Sequence, residues 1–176
     1  MKQNLFVLSY DYDLSKQVAK NLAEVFSMRF FDQKELFEFD HSPRTFAQVC
    51  EEYGTNYVKQ ELRSIIQGEL EFDDAVFVAD IGLVDNCQDL FYKIKLSNFI
   101  VFLNKDIDEE FAEISQKQFE NENVEELFKT DQIKLHQREM AIRMELADIE
   151  VDVSAKNQTQ IVDEIVDKIK NYYSVN

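Results

Sequence analysis

Three short apolar runs constrain this chain more than any other feature: "LFVL" at 5–8, "AVFVAD" at 75–80 and "NFIVFL" at 98–103. Each is continuous rather than alternating, so each suits a strand buried on both faces, as in a parallel sheet covered by helices. Helical periods lie between them. Val18, Leu22, Val25 and Phe26 fall at i, i+4, i+7 and i+8, and Leu62, Ile65 and Ile66 form a second stripe. Near the C-terminus "IEVDV" (149–153) alternates as a strand does, while Ile161, Ile165 and Ile169 in "QIVDEIVDKIKNYY" predict a helix docked on the sheet. The alternation of the two periods gives an α/β fold.

Punctuation is sparse, with three glycines and one proline in 176 residues, so its placement is informative. In "HSPRTFAQVCEEYG" we expect Ser42 to cap a helix, Pro43 to suit its first turn and Gly54 to take the left-handed conformation that ends it. From Asn104 to Gln132 the composition shifts to ten acidic residues, three lysines and no arginine, an excursion of about residues 104–134 from the core. Its phenylalanines, Phe111, Phe119 and Phe128, suit a helical cover with apolar faces inward. There is no internal repeat or low-complexity linker, and residues 1–176 read as one domain.

A net charge of −16 sets nucleic acid aside as a partner, because an acidic surface repels a phosphate backbone. No apolar run reaches the roughly 18 residues of a membrane helix, and no basic stretch leads into a signal core; the expectation is a cytoplasmic protein. Cys50 and Cys87 lie in apolar stretches without CxxC spacing and read as buried thiols. His41 and His136 have no serine or cysteine nucleophile that the sequence pairs with them, so neither reads as catalytic.

After the first strand comes "LSYDYDLSKQVAKNLAEVF" (8–26), where a nucleotide-binding chain places a phosphate loop; this one has no glycine and two aspartates. A carboxylate about 4 Å from a phosphate charge costs on the order of 1 kcal/mol at the dielectric of water and about 4 kcal/mol at an effective value of 20. Asp11 and Asp13 as cation ligands are a weak signal at i, i+2 spacing. The simpler reading has Asp13 capping the helix that follows, with Tyr10 or Tyr12 filling the space a nucleotide would use.

The helix ending "NLAEVFSMRFFD", then "FAQVCEEYG", a strand before Gly82, "NFIVFL" and "ELADIEVDV" together resemble the shikimate kinase family over nearly the whole chain. The resemblance implies a P-loop NTPase-like three-layer fold with a central parallel five-stranded sheet flanked by helices, a helical substrate region, and an acidic lid-like insertion. It also implies a phosphate loop ending in Gly-Lys-Ser/Thr. Anchored on Leu22-Ala23, an ungapped match puts Ser9, Tyr12 and Leu14 at the glycine positions, Ser15 at the lysine, and Lys16 and Gln17 at the next two. A one-residue shift restores Lys16 to the lysine position but leaves Gln17 for the metal-binding hydroxyl and still supplies no glycine.

The family's paired aspartates after the second strand, one associated with metal and one with substrate hydroxyls, become Asp32 and Lys34 here. An ammonium only donates, so the polyol contact is inverted; we expect Lys34 to be solvated. The substrate-carboxylate arginine falls on Val58 or Lys59, and of the triple glycine after the third strand, now Asp80-Ile81-Gly82, only Gly82 remains. The lid lacks arginine, and the later arginine position falls on Glu139 with Arg138 beside it.

These substitutions lead to a shikimate-kinase-like chain that has lost ATP binding and phosphoryl transfer, with no cofactor expected. It would act by binding an unidentified protein, or a small molecule in the vestigial cleft. The alternative is an active small-molecule kinase for shikimate or a related polyol. There Lys16, Lys34, Lys59, Arg138 and Arg143 supply positive charge, Asp32 holds magnesium, and ATP and Mg are required.

Overall fold

The computed structural model describes residues 4–9, 11–79, 88–105 and 145–175. Five strands, β1 (Leu5–Ser9), β2 (Arg29–Asp32), β3 (Ala75–Val78), β4 (Phe99–Asn104) and β5 (Ile149–Asp152), form one sheet in the order β2-β3-β1-β4-β5. Every pairing is parallel, with Phe6 opposite Phe77 on one side and Ile100 on the other. The described helices are α1 (Tyr12–Phe26), α2 (Gln33–Asp40), α3 (Phe46–Tyr53), α4 (Thr55–Glu69), α5 (Gln88–Ser97) and α6 (Gln158–Val175). The predicted excursion, with Phe111, Phe119 and Phe128, lies almost wholly outside the described residues, as do Tyr10, Cys87 and His136.

Side chains alternate across the pleat, so each continuous apolar run serves two cores at once. Leu5, Val7, Val76, Val78 and Val101 face α1 and α6, meeting Val18, Leu22, Ile161 and Ile165. Phe6, Leu8, Phe77, Ile100 and Phe102 face the other layer, where Phe37, Leu62, Ile66, Phe91 and Ile94 come from α2, α4 and α5. Phe6 and Phe77 stack with centroids 4.7 Å apart. Val25 departs from the expected α1 stripe: it is 56% exposed, one residue before the helix ends at Phe26 and Ser27 turns left-handed at φ 55°.

The cap before α3 is also corrected. Thr45, not Ser42, accepts from the Gln48 amide, while the Gln48 side chain returns to the Thr45 amide, a capping box that begins the helix three residues after Pro43. Gly54 takes a positive φ of +81°, but with ψ 165° it is extended rather than in the left-handed helical conformation expected; it closes α3 and opens α4. A Cβ there would meet nothing within 4 Å, so backbone conformation and not crowding selects glycine. Cys50 is half-buried against the second core. At the amino edge of the sheet, Asn4 accepts from the Ala75 amide at 3.0 Å and donates to the Phe72 carbonyl at 2.7 Å and to Asn98 at 2.9 Å, fixing the starts of β1, β3 and β4.

Glu69 continues the buried face of α4 after Val58, Leu62 and Ile66, yet it is 2% exposed and neither carboxyl oxygen has a hydrogen-bond partner among the described residues. Burial, reinforced by the nearby charge of Asp32, pushes its pKa from 4.5 up to about 8. The folded chain therefore keeps a proton that the unfolded chain releases above 4.5, and stability falls as pH rises from 4.5 to about 8. Glu69→Met should gain on the wild type by up to about 1.4 kcal/mol per pH unit across that interval, measured by urea unfolding. A pH-independent difference would mean that the carboxyl is hydrated or paired.

Candidate functional site: the link between β1 and α1

In α/β sheets of this kind ligands bind beyond the carboxyl ends of the strands. There, β1 ends at Ser9 and α1 begins at Tyr12, so only residues 10 and 11 join them. The eight-residue phosphate-loop motif needs a wide turn of amides; here Tyr12, Asp13, Leu14 and Ser15 are already helical.

Asp11, rather than Asp13, is the N-cap. Its carboxylate accepts from the Leu14 amide at 3.0 Å, its carbonyl accepts from the Ser15 amide at 3.0 Å, and its own amide donates to the Ser9 hydroxyl at 3.1 Å. Asp11 has the extended backbone of a cap, while Asp13 lies in the first turn and complements the helix dipole. Ser15, at the expected lysine position, is buried with its hydroxyl on the Tyr12 carbonyl at 2.8 Å. Gln17 is exposed on α1, and no metal cluster of three or more His, Cys, Asp or Glu occurs among the described residues.

Asp32 is the centre of the site. It closes β2, caps α2 through the amides of Lys34 at 2.9 Å and Glu35 at 3.1 Å, and is 3% exposed. The Tyr12 hydroxyl donates a short hydrogen bond to the same oxygen, Oδ1. The Lys16 ammonium lies 2.7 Å from Oδ2 and 2.6 Å from Glu35, so a cation from α1 neutralises the carboxylate. Burial alone would raise the Asp32 pKa; the hydrogen bonds from Lys16, Tyr12 and the Glu35 amide, with the charge of Lys16, hold it below 3.8. Hydrogen bonds to Asp32 and then Glu35 correspondingly raise the Lys16 pKa.

Lys34 is exposed, and its ammonium lies 5.7 Å from the Tyr12 ring centroid and 5.6 Å from that of Phe46. Val58 is buried in the core, and Lys59 is exposed on α4. The planar fork on that helix is Arg63, which sequence reasoning missed; it holds Asp89 at 2.6 and 3.0 Å. Its guanidinium draws the Asp89 carboxyl down to about 2. His41 is structural in its contacts. Its Nδ1–H donates to the Phe37 carbonyl at 2.8 Å, Nε2 accepts from the Tyr57 hydroxyl at 3.0 Å, and the ring stacks on Phe37. Asp80, Gly82, Arg138 and Arg143 lie outside the described residues.

The family model for shikimate kinase matches residues 16–170. The chain belongs to the shikimate kinase family. Among solved structures, shikimate kinase from Aquifex aeolicus is 18% identical, with a TM-score of 0.78, covering 98% of this chain and 99% of its own. Shikimate kinase from Acinetobacter baumannii in complex with shikimate is 15% identical, with a TM-score of 0.74 and coverages of 97% and 94%. The Bacteroides thetaiotaomicron shikimate kinase is also 15% identical, at a TM-score of 0.74 and 98% of each chain. At these identities the likeness speaks to the fold, the P-loop kinase arrangement of a parallel sheet between helices. No curated protein matches the sequence. No helix among the described residues is long and apolar enough to cross a membrane.

Within this shikimate kinase fold the ion pair has a predicted signature. Because the Asp32 pKa is lowered, its contribution is fully present above 3.8 and is lost as pH falls through the folded value. Lys16→Met removes the counter-charge, so the acid-unfolding midpoint should move to higher pH. At pH 7 the loss should be about 1–3 kcal/mol, moderated because the Lys16 side chain is 35% exposed. Lys16→Arg should restore part of it. An acid limb identical in all three proteins, followed by circular dichroism, would show that Lys16 does not carry the compensation.

Proposed function

We propose that this chain is a shikimate-kinase-like protein that has lost ATP binding and phosphoryl transfer and acts by binding a protein or a small molecule. The observation that carries the proposal is the Lys16 ammonium seated 2.7 Å from Asp32, the carboxylate that the family resemblance associates with metal. Phosphoryl transfer depends on positioning and on neutralising charge at the phosphates. Three features work against it here. The two-residue link offers no glycine amides for a phosphate. Asp32 already receives two backbone amides, the Tyr12 hydroxyl and a lysine, so Mg has no open carboxylate to join. Lys34 replaces a hydroxyl acceptor and lies against two rings. The described residues therefore do not fit ATP and Mg.

The competing reading is an active ATP-dependent kinase for shikimate or a related polyol, with Lys16 swinging from Asp32 to a phosphate. It draws on Lys16 remaining on the first turns of α1 and being partly exposed.

Calorimetric titration with Mg-ATP and Mg-ADP, each with and without shikimate at moderate salt, should give no binding heat, and phosphate transfer from ATP should stay at background. Micromolar nucleotide affinity with turnover lost in Lys16→Ala and Asp32→Ala would establish the kinase reading instead. Replacing the link with a glycine-lysine-serine loop should not restore turnover, because Lys34 would still stand at the polyol position. Recovery from the loop alone would place the whole defect in residues 9–17.

A further inference from the structure

The opposite edge of the sheet, where the strands begin, holds a cavity of about 210 Å³. Leu5, Phe26, Met28, Phe99 and Ile169 wall it with apolar surface, and Asp74 stands at its margin. A second cavity, about 390 Å³, lies at the start of β5. The aromatic triad Phe99, Tyr172 and Tyr173 stands between the two, with Tyr172 edge-on to Phe99 at 4.9 Å and to Tyr173 at 5.6 Å. Both tyrosines are about 40% exposed. From β3 through β1 and β4 to β5 is three strand spacings, on the order of 14 Å, the reach of about four extended residues.

Charge selects what can lie there. Asp74, held left-handed at φ 56°, spends its backbone carbonyl on the Arg29 amide, while its carboxylate has no partner among the described residues. Glu71 and Asp73 beside it are exposed. Two described basic groups near this edge are engaged. Arg29 donates to the Asp73 carbonyl at 2.6 Å and lies over Phe72, and Lys168 at the second cavity is held by Glu164 and the Glu150 carbonyl. An anionic lipid surface, nucleic acid and a second copy at −16 are all repelled. The first cavity is smaller than the roughly 300–1,000 Å³ typical of a free small-molecule site, but it accommodates one aromatic or branched aliphatic side chain.

We propose that this amino edge of the sheet docks an extended basic segment of another polypeptide, with one apolar side chain seated in the cavity and a lysine or arginine on Asp74. The surface is separate from the closed site at the carboxyl edge, so the proposal stands whichever way the nucleotide titrations fall.

The test is amide chemical-shift mapping of the full chain at low salt with capped pentapeptides: Lys-Leu-Arg-Phe-Lys, the acidic Glu-Leu-Glu-Phe-Glu, and the anchorless Lys-Ser-Arg-Ser-Lys. The expected result is saturable shifts at Leu5, Met28, Asp74 and Tyr173 with the first peptide alone. Asp74→Asn, which keeps a residue tolerant of the left-handed conformation, should weaken binding about threefold to tenfold. Tyr173→Ala, on a partly exposed wall, should weaken it independently. Several outcomes would overturn the proposal: no shifts at these amides, equal shifts with the acidic peptide, or a dimer by sedimentation whose interface covers them. Binding that emerges only when residues 1–3 are removed would assign the cavity to the chain's own start. Phenethylamine binding as tightly as the peptide would make it a small-amine site.

Discussion

A carboxylate buried at the end of β2 governs the carboxyl edge of this protein. Taking an ion out of water costs several kcal/mol unless charge and hydrogen bonds replace the solvent. Asp32 obtains both from the two helices that flank β2: the first amides of α2, and the Tyr12 hydroxyl and Lys16 ammonium of α1. One side chain thereby ties α1, β2 and α2 together. The same arrangement sets the Lys16 ammonium against the Asp32 carboxylate at the carboxyl edge of the sheet.

The sheet was legible in the sequence because its strands are buried on both faces, and double burial leaves continuous apolar runs that solvent-exposed strands lack. β1, β3, β4 and β5 lie where those runs and the alternating "IEVDV" predicted. β2 was harder. Its four residues begin with an arginine, and its identity came through the resemblance rather than through pattern. Helix ends were read less well, because Ser, Thr and Asp compete for the cap over a span of a few residues. The winner is set by backbone geometry: Asp11 over Asp13, and Thr45 over Ser42.

The site was legible as a set of replacements but not as a set of contacts. The absence of glycine and the presence of Lys16 and Asp32 can be read along the chain; their meeting across 16 residues of sequence depends on α1 lying beside β2. Lys34 over two rings and Arg63 on Asp89 are likewise tertiary pairings with no local signal. Glu69 is the instructive miss. Its spacing from Leu62 and Ile66 places it on the apolar face of α4, but a charged residue at a helix end reads as solvated until burial is measured. The family resemblance directed attention to the positions where chemistry had changed, and so away from a residue buried beneath them.

The altered link also makes sense as a stability exchange. A phosphate loop holds several amides pointed inward at a ligand, and without an anion those donors depend on water. Its glycines add to the entropy lost on folding. Exchanging such a loop for a two-residue turn with an aspartate cap satisfies a helix amide within the chain, a change typically favourable by about 1 kcal/mol. Each glycine exchanged at a compatible position contributes about 0.4–1 kcal/mol through the unfolded state. Such substitutions are favourable on folding grounds alone, and they leave the two cores that hold the sheet in place. That is why a chain 18% identical to an Aquifex kinase superposes on it at a TM-score of 0.78 while its phosphate-loop positions have the chemistry of an ordinary capped helix. The fold rests on two apolar layers, and at its carboxyl edge the chain pairs its own carboxylate and ammonium.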